Sequence, residues 1–177
     1  VHPCHAGVLE GALRAAHAGL IVPQLIGPIE RIRATAEQAG LDLHGIDVID
    51  APHSDAAAGV AARLAADGRL EALMAGSLGL PELLDAVRAQ PALRTSRRLS
   101  HVFRLDVPGH APPLSLTDAM LHAAPSLADK ADIARNAIDL LRVMGIEQPR
   151  LAVLSASEAV DAAVPSTLDA AALCKMA

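Results

Sequence analysis

The chain has 177 residues, of which 52% are hydrophobic, so it can bury a real core; Phe103 is its only aromatic, and that core must be built from Ala, Leu, Val and Ile. A net charge of −5, from 15 basic and 20 acidic residues, leaves no basic footprint for nucleic acid and, without Trp or Tyr, no platform on which bases could stack. No apolar run approaches the roughly 20 residues of a membrane span; Cys4 and Cys174, far apart in the chain, give neither a disulfide framework nor a metal-binding CxxC pair, which fits a reduced cytoplasm.

In chain order, Val1 and His2 read as the last residues of a strand whose beginning lies outside the chain. The spacing of Val8, Leu9, Ala12, Leu13 and Ala16 predicts a helix from Gly7 to Ala18, which Gly19 closes. An apolar run, Leu20 to Ile26, has strand length, and Gly27–Pro28 breaks it. Ile29 to Ala39 predicts a second helix, Gly45 to Asp50 a strand, and Ser54 to Asp67 a helix capped by Ser54 or Asp55. Leu70 to Gly76 reads as a fourth strand and Pro81 to Ala89 as the next helix, with proline in its first turn. Strands alternating with helices across short glycine-marked joints argue for a parallel sheet with helices on both faces.

After Gln90 the pattern changes. Arg97 to Val107 alternates in part, and a Pro-rich turn separates it from Leu114–Ala119, which together predict an antiparallel hairpin. Ser126 caps a long helix to Met144, Arg150 to Ala156 reads as a buried strand, and Pro165 to Thr167 caps a last helix, Asp169 to Ala177, that runs out without a stop signal. The expected lobes are residues 1–96 and 97–177, the first lacking the start of its first strand and the second lacking the rest of its last helix.

Ligands of open α/β sheets bind beyond the carboxyl ends of strands. Three such places carry small or hydroxyl residues: Gly76–Ser77, Thr117–Asp118 and Ser155–Ser157. Each could present hydroxyls and backbone amides to an anion, but any one of them taken alone reads more readily as the cap of the following helix. Arg94 to Arg98 forms a basic knot suited to a phosphate or to a solvated connection. His2, His5 and His17 give no metal triad. Ser100 and His101, although adjacent, should point to opposite faces of a strand and not meet as nucleophile and base.

The stretches "EALMAGSLGLPELLDAV", "LRTSRRLSHVF" and "LSLTDAMLHAAPSLADKADIARNAIDLLRVMG", with the chain from there to Ala177, resemble the phosphate acetyl/butyryltransferase family, most of all its butyryl-type branch and the copies fused behind an enoyl-CoA hydratase domain. The resemblance implies a two-lobed three-layer α/β/α fold of the isocitrate dehydrogenase type, a cytoplasmic homodimer, and exchange of acyl-CoA plus phosphate with acyl phosphate plus CoA. Coenzyme A enters there as substrate, and neither a covalently bound cofactor nor a metal is implied. It further implies that Gly76, Ser77, Thr117 and Asp118 hold phosphate or acyl phosphate, and that Ser100, Ser155, Arg97 and Arg98 face the cleft or CoA. The family's Ser-Arg-x-Asp motif, which resembles the source of the catalytic base and of oxyanion stabilisation, does not occur; the catalytic residues are expected beyond Ala177, with this stretch inactive by itself. The pattern's usual Lys is Ala75 here, and its following His-Thr is Gly79–Leu80. Two other readings stand beside this one. A metal-dependent dehydrogenase of the same fold would need paired carboxylates, which are missing in order. A non-catalytic phosphate- or CoA-binding or dimerisation module would bind without turnover.

Overall fold

The computed structural model describes residues 1–176, with 110–112 described by backbone alone. The chain divides into two compact units, Val1–Arg94 and Thr95–Ala177.

In the first unit, α1 (Ala6–His17) begins at His5, whose Nδ1 accepts a hydrogen bond from the Gly7 amide at 3.3 Å. Gly19, at φ 69°, ends it in the left-handed conformation that glycine adopts without steric cost. Strand β1 (Gln24–Gly27), helix α2 (Ile29–Gln38) and strand β2 (Asp47–Asp50) follow, and β1 and β2 pair in parallel from Gln24 opposite Asp47 to Gly27 opposite Asp50. Helix α3 (Ser54–Ala66), helix α4 (Leu80–Arg88) and a 3₁₀ turn (Pro91–Leu93) complete the unit.

Neighbouring residues of a strand face opposite ways, and β1 uses both faces. Leu25 packs with Leu9 of α1 and with Ile32 and Ala36 of α2; Ile26 packs with Ala57, Ala61 and Leu64 of α3. Helices therefore cover the sheet on each side, giving three layers. Burying each of the larger aliphatic side chains stabilises the unit by about 2 kcal/mol. The alanines of α3 let its backbone lie close to the sheet, which is how a core with one aromatic in the whole chain closes.

Two expected strands differ. The run Leu20 to Ile26 forms a strand only from Gln24, because Pro23 has no amide to give to a ladder. Leu20 and Val22 are exposed, and with Leu70 and Met74 they line a groove of about 710 Å³. Leu70 to Gly76 is not a regular strand; among the described residues its backbone partners are Val1 and His2: the Val1 amine donates to the Met74 carbonyl (2.8 Å), the Gly76 amide to the Val1 carbonyl (2.9 Å) and the Ser77 amide to the His2 carbonyl (2.8 Å). The His2 amide in turn donates to the Ile26 carbonyl at 2.6 Å. Val1–His2 thus lies between β1 and residues 74–77.

In the second unit, β3 (Val102–Val107) and β4 (His110–Thr117) form an antiparallel hairpin with Val102 opposite Thr117 and an irregularity between Leu105 and Val107. Helix α5 (Leu127–Val143) starts with a reciprocal cap: Ser126 Oγ accepts from the Asp129 amide, and Asp129 accepts from the Ser126 amide. Helix α6 (Pro165–Met176) begins four residues earlier than its periodicity suggests, because Pro165 suits a first helical turn and Thr167 Oγ1 accepts the Asp161 amide at 2.9 Å. Lys130 and Asp169, 2.5 Å apart, tie α5 to α6. The expected strand from Arg150 to Ala156 is not formed: among the described residues no strand pairs with it, and Leu154 is 85% exposed. Among the described residues no helix is long and apolar enough to cross a membrane.

Candidate functional site

Counted along the chain, the extended segments of the first unit are Val1–His2, β1, β2 and residues 74–77. In space their order is third, second, first, fourth. Helices α1 and α2 carry the chain steadily to one side; α3 then returns it past its starting point. The direction reverses between Val1–His2 and residues 74–77, and at such a switch point an open α/β sheet has its ligand crevice, beyond the carboxyl ends of the two segments. His2 and Ser77 stand at those ends.

Gly76 is required there. A Cβ on it would sit 2.5 Å from the Val1 carbonyl oxygen and 2.7 Å from that of His2, so any side chain would part the two segments. The amides of Gly76 and Ser77 do not face an anion, as their place at a strand end suggested; both are engaged by Val1 and His2. What remains toward solvent is the exposed Ser77 side chain and, two residues on, the start of α4, whose cap residue Gly79 brings no side-chain acceptor to its first-turn amides. Ala75 is exposed beside this segment and supplies no charge. Cys4 lies close by; burial pushes its thiol upward in pKa against the opposing influence of Arg31 and the amino terminus, which keeps it protonated and a poor nucleophile.

The remaining residues singled out by sequence belong to the second unit. Thr117 Oγ1 donates to the His101 carbonyl at 2.7 Å, across the hairpin. Asp118 is 2% exposed at its side chain; Oδ1 accepts the amides of Met120 and Leu121 at 3.0 Å each, and Oδ2 lies 2.5 Å from His122 Nδ1. Burial raises the pKa of this carboxyl, but the hydrogen bonds from His122 and the two amides, with the charge of His122, outweigh it and hold the carboxyl below its usual value. Arg97 pairs with Asp139 at 2.6 Å and Arg98 with Asp129 at 3.0 Å, so both guanidinium groups are docked along α5. Asn136 Nδ2 donates to the Arg98 carbonyl (2.8 Å) and to Ser100 Oγ (2.9 Å). Ser155 Oγ donates to the Ser157 carbonyl in a local turn. Ser100 and His101 diverge as expected: the His101 ring stacks edge-on against Phe103, 4.2 Å between centroids.

His122 was not singled out from the sequence, and His2 was weighed there only with His5 and His17 as a possible ligand set. His122 carried a usable signal, its i, i+4 spacing from an aspartate at a strand end. His2 carried none, because its role depends on the return of residues 74–77 across 75 positions. Among the described residues no three His, Cys, Asp or Glu side chains cluster as metal ligands would.

A family model described as Phosphate acetyl/butaryl transferase matches residues 54–177. The phosphate acetyltransferase of Rhizobium meliloti is 51% identical over 177 residues, covering 99% of this chain and 56% of its own. That of Rickettsia felis is 46% identical over 179 residues, with 100% and 51% covered, and the phosphate butyryltransferase of Clostridium acetobutylicum is 32% identical over 170, with 96% and 56% covered. The chain thus spans about half the length of these curated relatives. A crystal structure of a branched-chain phosphotransacylase from Enterococcus faecalis V583 superposes with a TM-score of 0.69 at 21% identity, over 88% of this chain and 64% of that one, a likeness of fold. With the family's pattern running through 124 of its 177 residues (54 to 177 inclusive), the chain belongs to the phosphate acetyl/butyryl transferase family.

Proposed function

We propose that the protein carrying this chain is a CoA-dependent phosphate acyltransferase. In the direction of acyl-CoA synthesis the CoA thiolate attacks the acyl phosphate carbonyl, a tetrahedral intermediate forms, the C–O bond to phosphate breaks, and phosphate leaves with the negative charge; the thiol proton goes to a base. Such a path needs a base for the thiol, donors for the oxyanion and a seat for the phosphoryl group. The observation that carries the reading is the similarity, along 96% or more of this chain, to named phosphate acetyl- and butyryltransferases.

The reading divides the work. The switch point of the first unit seats the phosphoryl group through Ser77 and the open start of α4. Thr117, Asp118, Ser100 and Ser155 already have partners within the chain, so they shape their surroundings more than they bind directly; Arg97 and Arg98 reach CoA phosphates only by leaving α5. The base and oxyanion donors lie outside these residues, in keeping with relatives of about twice the length. A cytoplasmic homodimer belongs to the same proposal.

The test is phosphate-dependent release of free thiol from acetyl-CoA and butyryl-CoA. The protein at the length of its relatives should release thiol with one or both; failure with both would overturn the activity. Full-rate release by residues 1–177 alone would overturn the division of work.

A further inference from the structure

The switch point holds a further side chain, His2, which precedes the residues matched by the family model. His2 is 7% exposed, and its backbone sits at φ 53°, the left-handed region, immediately before Pro3. Residues bearing a Cβ adopt that region seldom, and a following proline restricts the position further. The conformation is held from three sides: the His2 amide donates to Ile26, its carbonyl accepts from Ser77, and ring Nδ1 lies 3.2 Å from the Ser77 carbonyl oxygen.

That last contact fixes the chemistry of the ring. A carbonyl oxygen only accepts, so Nδ1 carries the proton and, in the neutral ring, Nε2 carries a lone pair. Among the described residues no hydrogen bond reaches Nε2, and it is not one of the buried side-chain atoms left without a partner, so it is open to solvent. The imidazole is thus anchored at one nitrogen beside Ser77, at the carboxyl end of the sheet, two residues before Gly79 opens α4. The chain thus fixes Nδ1 and leaves Nε2 to solvent, on a ring at the carboxyl end of the sheet.

We propose that His2 is a substrate-binding residue of the phosphoryl seat: Nε2 accepts a hydrogen bond from a protonated oxygen of inorganic phosphate, beside the Ser77 hydroxyl and the first amides of α4. No bond is made or broken at the ring. The inference rests on the phosphate acyltransferase reading for its ligand, and it names the reacting phosphate, not the phosphates of CoA, as the occupant.

The experiment uses the full 177-residue chain labelled with ¹⁵N on backbone and histidine rings, titrated with inorganic phosphate and, separately, with CoA. Free protein should show His2 with its proton on Nδ1. Phosphate should move the His2 Nε2 resonance saturably together with the Ser77 amide, and His2→Gln should weaken that binding about tenfold, the loss of one hydrogen bond to a charged ligand. Movement of Ser77 and the α4 amides with His2 Nε2 unmoved would overturn the role of His2 while leaving the phosphoryl seat in place. A response of His2 to CoA alone would overturn the choice of ligand. If nothing in the chain responds to phosphate, the seat and the role of His2 both fall, whereas the acyltransferase activity falls only with the thiol-release assay. The wild-type titration decides the matter even if His2→Gln fails to fold.

Discussion

At the scale of the residue, Asp118 has both carboxylate oxygens engaged within the chain. It closes the turn after β4 through two amides and orients His122 through its other oxygen. Asp118→Ala removes charged hydrogen bonds from a nearly buried site and should destabilise the second unit by about 2 kcal/mol, read as a lowered urea midpoint. The pH dependence has a definite sign. Because its folded pKa lies below the unfolded value, the contribution of Asp118 is complete above the ordinary carboxylate range and is lost as pH falls through the folded value. Asp118→Asn should therefore flatten the acid limb of the stability curve; an unchanged limb would show that the His122 contact carries no charge–charge stabilisation. Gly76 is the complementary case. A methyl group there meets backbone oxygens that cannot turn aside, so Gly76→Ala should cost about 2 kcal/mol or more through forced separation of the segments, and its amide should exchange faster with solvent. Normal stability in this variant would mean that Val1–His2 and residues 74–77 do not pair in solution.

At the scale of the element, the helices were legible and three of the expected strands, Leu20–Ile26, Leu70–Gly76 and Arg150–Ala156, were not. Apolar residues at helical spacing together with Gly19 and Gly68 marked α1 and α3, because both signals are local. A strand exists only with a partner, and partners are remote: Arg150 to Ala156 has the composition of a buried strand, yet among the described residues no strand pairs with it. The hairpin β3–β4 was legible because its partner is across one turn. The same contrast governs the site. Gly76 and Ser77 could be picked out as small residues at a strand end, but the engagement of their amides by Val1 and His2 could not, since it depends on contacts 75 residues apart. The reciprocal cap of α5 was half visible, in Ser126 and Asp129. Ser126→Ala should cost about 1 kcal/mol, and Ser126→Asp, which keeps an acceptor at the cap, should recover most of it in the same denaturation measurement.

At the scale of the whole molecule, the chain is two compact units with different architectures, a parallel three-layer unit and a hairpin with helices. The proposed phosphoryl seat belongs to the first unit, where the described residues form a topological switch point, and the proposed role of the second unit is supporting because its candidate polar groups are already paired. Hydrogen–deuterium exchange of the full chain, with and without acetyl phosphate, tests that assignment most directly. The account predicts slowed exchange at Cys4 and from Ser77 through the first turn of α4, with the β3–β4 hairpin unchanged. Protection confined to the hairpin or to the turn after Asp118, with none at the switch point, would contradict it.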